Sequence, residues 1–386
     1  SDVLVERAGE MLNSHLLELL NGASDSGPED QRWYWAAPAL MDGHRFPSMK
    51  NWLTDDSEGW PSISTEGHTE RGERFREHLG LFRQAMDQDF ETPLGRPPAD
   101  LIKVLSMMAV AAPGVCALRA LRRQSTSLAW DSKDILFGSV RISEGFRTLF
   151  NLPESIALLR GDEPETFYWQ LALRHCLEGN VQSLLDEQSH CLVESLGVID
   201  ESQSERAVAI GDSIGSSLSV RTSQLQLDEV RVRPDLRRVE LEGYNTRCRF
   251  ALRFAELKDE RGATVARADT VREAFNSPFR PFVLASTSIG QEGLDFHTWC
   301  HSVVHWNLPS NPVDLEQREG RVHRYKGHAV RKNIAKAYGL STLRHQWDQQ
   351  GDPWRFMFEL AKMDRPAEAN DLIPYWLYEA EGGARI

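Results

Sequence analysis

The dipeptide Gly-Lys occurs nowhere in the 386 residues of this chain, which excludes a G-x-x-x-x-G-K-[ST] phosphate loop. Cysteine is scarce: Cys116, Cys176, Cys191, Cys248 and Cys300 are scattered and never form a C-x-x-C pair. Neither a zinc knuckle nor a disulfide framework is therefore indicated, and reduced, buried thiols are expected, with no metal site. No run approaches the roughly 18 consecutive apolar residues of a membrane span. The start, SDVLVERAGEMLNSHLLELL, has early acids and amphipathic spacing where a secretion signal is basic and then apolar. A cytoplasmic protein with no membrane partner is expected. Ser1 in place of Met suggests a processed or excised fragment. Repeats and low-complexity segments are also missing.

What is there is ordinary in bulk and uneven in detail. The 41% apolar and 26% charged content suits a folded chain of two or three domains. The net charge is -13, yet residues 301–345 hold 8 Lys/Arg against 3 Asp/Glu and five of the 12 histidines, whereas residues 1–100 hold 9 against 19. An acidic body with one locally basic segment fits a site for anions better than a surface coated in nucleic acid.

Apolar residues at helical spacing run through residues 3–20, and ADLIKVLSMMAVAAPGVCALRALRR reads as two helices broken at Pro113-Gly114. WYWAAPALMDGHRFPSMKNWL is tryptophan-rich and fits a packed helical core better than an aromatic platform for bases. The same choice is made for Trp347, Trp354 and Trp376 of the tail. DEQSH at 186–190 imitates an acid-acid-x-histidine box but has one residue too many and lies in a helical pattern, so Asp186 and Glu187 are expected on a solvated face. From about residue 197 strand-like stretches alternate with helices, which predicts an α/β domain carrying an all-α appendage. The expected boundaries are 1–196 for a helical accessory domain, 197–345 for the α/β domain and 346–386 for a helical extension.

Two stretches carry chemistry. In FVLASTSIGQEGLDFH, residues 282–297, Phe282–Ala285 reads as a buried strand of a parallel sheet, with Ser286, Thr287 and Ser288 at its carboxyl end. Gly290 and Gly293 let backbone amides turn toward phosphate oxygens. An ordinary strand-to-helix connection explains this stretch equally well. In NLPSNPVDLEQREGRVHRYKG, from Asn307, the Asn311 cap, Pro312 and Asp314 open a helix. A turn of 3.6 residues then puts Gln317, Arg321 and Arg324 on one face, and Leu315 and Val322 on another. Two guanidiniums and an amide presented together suit phosphate oxygens. The bland alternative is a solvated basic helix bridged by Glu316 and Glu319.

The two stretches, S-T-x-x-G-x-E-G-x-D and N-L-P-x-N-P-x-x-L-E-Q-R-x-G-R-V-H-R, with SVVHW between them, together resemble motifs V and VI of superfamily 2 helicases and translocases. The wording is most similar to Swi/Snf-type bacterial ATPases, over about residues 240–345. The resemblance implies a RecA-like parallel-sheet domain, the second of two lobes that clasp ATP with Mg²⁺. It assigns Arg321 and Arg324 to catalysis, with Arg324 first choice for the arginine finger. It assigns Gln317, Gly320, Gly290, Glu292, Gly293 and Asp295 to the nucleotide side, and Ser286, Thr287 and Ser288 to the tracked strand, with DNA favoured over RNA. The phosphate loop and metal-binding acids of the first lobe are absent, so an N-terminal RecA-like domain is expected as a partner in cis or trans, and the isolated chain is expected to hydrolyse negligible ATP. Protein partners are expected through the helical region. A non-catalytic module binding nucleic acid or protein, and a regulatory ATPase that remodels without unwinding, are the competing readings.

Overall fold

Leu12, Leu16 and Leu20 recur at a helical spacing of four, and they find apolar neighbours in a helical unit. The computed structural model describes residues 2–20, 26–47, 70–161, 166–219, 223–233, 238–248, 272–285 and 295–376. The chain divides into two units, Ser1–Gly215 with Asp348–Trp354, and Ser216–Trp347 with Arg355–Ile386.

In the first unit α1 (Asp2–Leu20) and α2 (Trp33–Arg45) pack with α4 (Leu101–Ala111), after α3 (Glu70–Met86). Leu16, Trp33, Ala37, Leu101 and Leu105 form their common core. Trp33 is buried and donates its indole N–H to the Gly95 carbonyl at 2.8 Å, and Trp35 packs on Ala39, Ala85 and Met86. Trp33 and Trp35 thus belong to the helical core, while residues 48–53 of the tryptophan-rich stretch lie outside the described residues. Asp30 staples the entrance to α2: it accepts from the Arg32 guanidinium at 2.7 Å and the Gly95 amide at 2.9 Å, while Arg32 also donates to the Thr92 and Pro93 carbonyls. The Arg32 hydrogen bond holds the Asp30 carboxyl down at about 2. Burial does the opposite to Asp42, pushing it up to about 6.

Proline ends α4 as its spacing requires, and α5 (Pro113–Gln124) begins at once with Pro113 in its first turn. Leu101–Gln124 is long and apolar enough by composition to cross a membrane. Here it is two helices, with Leu101, Val104, Leu105, Cys116, Ala120 and Leu121 buried in the unit. The helices α6 (Lys133–Phe150), α7 (Pro153–Arg160), α8 (Tyr168–Glu178), α9 (Val181–Ser195) and α10 (Gln203–Leu218) complete the helical series. Where α6 meets α10, a Cβ on Gly211 would lie 2.6 Å from the Gly138 Cα, so only glycine permits that approach.

Asp186 corrects a sequence expectation. It is buried on α9, ion-paired with Arg123 of α5 and hydrogen-bonded to Gln182, in place of facing water. Burial pushes its carboxyl up to about 6 despite the guanidinium. Four residues on, His190 Nδ1 lies 2.5 Å from Asp352 Oδ2, and its ring stacks on Trp354 at 6.4 Å. Cys116 and Cys176 are buried free thiols, pushed up to about 11 and about 12 by burial. Cys191 and Cys300 are only half-buried.

The second unit overturns the expected parallel sheet. Apart from an isolated Glu29–Arg96 bridge in the first unit, strand pairing among the described residues is confined to β1 (Ser223–Arg233) and β2 (Arg238–Cys248). These form an antiparallel pair in register from Ser223↔Cys248 to Arg233↔Arg238. Residues 282–285, expected as a buried parallel strand, and the strand-like run 302–306 belong to no ladder. Val283 is 84% exposed, Val304 89% and Trp306 94%. The physical reason is that a short apolar run records a preference for burial but cannot supply neighbouring strands, and a parallel strand needs cover on both faces. The helices α11 (Pro312–Glu319), α12 (His328–Tyr338), α13 (Leu340–Gln346) and α14 (Pro353–Met363) follow.

Candidate functional site

The sequence motif from Asn307 opens as its residues dictate. The Asn311 side chain accepts from the Val313 amide at 3.1 Å, Pro312 occupies the first turn, and Asp314 lies near the positive end of α11. The helix then stops at Glu319, with the Gly320 amide donating to the Glu316 carbonyl at 2.7 Å. Gln317 is on α11, exposed, but Arg321 and Arg324 lie in the turn that follows it. The expected single helical stripe is therefore broken. The amides of Val322 and His323 both reach back to the Glu319 carbonyl, at 3.0 and 3.4 Å, which tightens the chain out of helical register. Gly327 closes the turn: a side chain there would meet the carbonyls of Arg324, Val322 and His297.

This turn is laid against residues 295–301. The Phe296 amide donates to the Arg321 carbonyl at 3.3 Å and the His328 amide to the His297 carbonyl at 3.0 Å. Phe296 and Val322 are buried, and Phe296 meets Phe275 edge-on at 5.5 Å. The Asp295 carbonyl is held by the Asn276 side chain at 2.8 Å. Asp295 and Arg324, which the sequence placed on the nucleotide side and in catalysis respectively, come together: Nη1 of Arg324 is 2.8 Å from Oδ1 of Asp295. Arg324 Nε also donates to the Gly320 carbonyl at 3.2 Å. Both side chains remain accessible, at 43% and 49%. Arg321 is half-buried.

This guanidinium is held at one edge, Nε, by a carbonyl and at Nη1 by an exposed carboxylate. A half-exposed ion pair is worth about 0.2–1 kcal/mol, so an incoming phosphate can displace Asp295 at little cost. Glu319 engages His305 at 3.4 Å, and Arg318 donates to the Asn307 carbonyl at 3.1 Å, so part of the basic helix is tied up locally. Ser286, Thr287, Ser288, Gly290, Glu292 and Gly293 lie outside the described residues. Among the described residues no group of three or more His, Cys, Asp or Glu is placed to hold a metal ion.

Beneath the turn is a layer that sequence reasoning missed. Arg331 is 1% exposed, donates to the Lys326 carbonyl at 2.9 Å and to the Thr298 carbonyl, and lies over the Trp299 ring at 5.1 Å. His328 stacks on His301 at 4.7 Å, and burial together with Arg331 pushes its imidazole down to about 4. Burial likewise lowers His297. A lone arginine in A-V-R-K-N-I gives no signal of burial; only its partners' carbonyls explain it.

Residues 259–326 match the family model described as Helicase conserved C-terminal domain. The match spans Ser286, Thr287, Ser288, Gly290, Glu292, Gly293, Asp295, Gln317, Gly320, Arg321 and Arg324, and supports a helicase C-terminal domain in this part of the chain. No curated protein and no solved structure matches the chain.

Proposed function

We propose that this chain, which carries a helicase C-terminal domain, supplies the arginine finger and strand-tracking contacts of an ATP-dependent nucleic-acid helicase or translocase. The observation that carries the reading is Arg324: a permanently charged fork, half-exposed, on the turn after α11, with Nε donating to the Gly320 carbonyl and Nη1 paired with an exposed carboxylate. Its residues fit a phosphoryl group as donors and do not fit a metal ion. Mg²⁺ bound with ATP would supply neutralisation of phosphate charge, and the residues that hold it, with the phosphate cradle, would come from an N-terminal RecA-like lobe in cis or trans.

In this reading Arg324 turns from Asp295 to the γ-phosphate as the lobes close, with Arg321 beside it and Gln317 ordering the same oxygens from α11. Such a finger contributes about 10³–10⁵ in rate. Gly290, Glu292 and Gly293 connect this contact to Ser286, Thr287 and Ser288 on the phosphates of the tracked strand, DNA in preference to RNA. The helical unit takes up protein partners, in the cytoplasm.

One observation favours a second reading, a non-catalytic binding module: Arg324 already has a local carboxylate. Both readings meet one experiment. With the N-terminal lobe supplied, Arg324→Ala is expected to abolish turnover, by about 10³-fold or more, while ATP binding is retained. Near-normal hydrolysis by that variant would refute the finger, and no hydrolysis by the wild type would select the module.

A further inference from the structure

Two residues beyond Arg324, Lys326 has φ of 49°, a left-handed conformation that a residue with a side chain keeps only where its surroundings over-determine it. Those surroundings act on every part of the residue. Its amide donates to the Tyr375 carbonyl at 2.6 Å. Its carbonyl accepts from the buried Arg331 at 2.9 Å. Its ammonium lies 5.4, 5.0 and 5.3 Å from the ring centroids of Tyr325, Phe358 and Tyr375. Phe358 and Tyr375 stack nearly parallel, 5.6 Å apart and 12° from coplanar, and Tyr325 stacks on Tyr375 at 5.7 Å. These rings come from three places in the chain, the turn itself, α14 and the segment after it, and they converge on one cation.

Resting on the finger assignment, we propose that Lys326 is a positioning residue: its caged ammonium fixes the turn that aims Arg324, and the Tyr375 segment is the lever that holds it. The connection is short. The Gly327 amide donates to the Arg324 carbonyl at 2.9 Å, so the conformation of Lys326 sets the distance across which Arg324 is closed back on the turn. A cation facing several ring faces is attracted electrostatically, and more strongly where water is partly excluded. The aliphatic stem alone would cover the same rings without that attraction. Charge, and not volume, is therefore what the cage reads. Displacing Tyr375 would remove a ring and the backbone acceptor together, which makes the segment after α14 a control point for the arginine.

Lys326→Met keeps the stem and removes the charge; Lys326→Arg keeps a cation. In the chain as it stands, Lys326→Met is expected to speed amide hydrogen exchange across residues 320–327 by roughly 5- to 30-fold, leaving α5 and α9 unchanged, and Lys326→Arg to restore protection. In the full ATPase with its phosphate-loop lobe, Lys326→Met is expected to lower kcat by a similar roughly 5- to 30-fold with KM for ATP within about twofold, and Lys326→Arg to recover it. Unchanged exchange, or loosened exchange with unchanged kcat, overturns the proposal. Tyr375→Leu, which keeps the backbone acceptor and deletes one ring, is expected to shift both readouts in the same direction, and its silence would overturn the proposal even if the Lys326 variant failed to fold. Arg324→Ala measured alongside separates the two failures. Full turnover there defeats the finger, whereas a dead Arg324→Ala beside an unimpaired Lys326→Met defeats only the positioning role.

Discussion

Alanine at Gly211 is expected to destabilise the helical unit, although alanine is the better helix former. The new Cβ would sit 2.6 Å from the Gly138 Cα and 3.3 Å from its carbonyl carbon and oxygen. Unstrained carbon pairs stand about 3.5–4.0 Å apart, so α6 and α10 must part by about 1 Å. The parting loosens Ile135, Ile142, Ile210 and Ile214, all fully buried. Overpacking costs about 1–3 kcal/mol, and a backbone approach as short as 2.6 Å belongs to the upper part of that range, about 2–3 kcal/mol, while exchanging glycine for alanine in a helix returns about 1 kcal/mol. A net loss of about 1–2 kcal/mol remains, or a fall in Tm of about 3–6 °C. Gly80 provides the opposite sign: it is exposed on α3 with nothing within 4 Å of its missing Cβ. There the same substitution is expected to gain about 0.5–1 kcal/mol. Thermal and urea denaturation followed by circular dichroism measures both. A Gly211→Ala variant as stable as the wild type would refute the close crossing of α6 and α10.

Two of the perturbed carboxylates of the first unit, Asp30 and Asp42, predict opposite pH responses. The Asp30 carboxyl is depressed from 3.8 to about 2, so its contribution is present above pH about 4 and is lost as pH falls through about 2. With Arg32 partly in solvent, Asp30→Asn is expected to cost about 1–2 kcal/mol at pH 7, a difference that closes below pH about 2 in urea titrations at stepped pH. The Asp42 carboxyl is raised from 3.8 to about 6, so the neutral form suits the fold and stability declines as pH rises from about 4 through about 6. Asp42→Asn is expected to gain about 1–2 kcal/mol at pH 7 and nothing at pH 4; a loss at pH 7 would show that the carboxylate is satisfied where it lies.

The helices were legible because their signals are local. Apolar spacing placed α1, Pro113 placed the break between α4 and α5, and Asn311-Pro312 placed the start of α11. What failed depended on partners distant in the chain. The spacing of Asp186 says nothing of Arg123, sixty-three residues away, so a buried ion pair read as a solvated face. The runs at 282–285 and 302–306 have the composition of buried strands, but a ladder is a property of several segments at once. At the site, residue types identified Arg324 and Asp295 without showing that they meet, because the end of α11 is set by carbonyl acceptors in a turn whose glycines permit more than one path. Arg331 and Lys326 had no local signature, since what marks them is the convergence of three carbonyls and four rings.

The short stretch Asp348–Trp354 belongs with the helices at the beginning of the chain, not with the residues on either side of it. Asp352 delivers its carboxylate to His190 and Trp354 lays its indole against the same imidazole. The polypeptide therefore passes between its units more than once, and no single cut yields two intact halves. A fragment starting near residue 216 would carry an indole and a carboxylate evolved for a vanished imidazole, and one ending near 215 would leave that imidazole uncovered. Dissecting this protein calls for excising the intervening stretch and rejoining the ends, not for truncation.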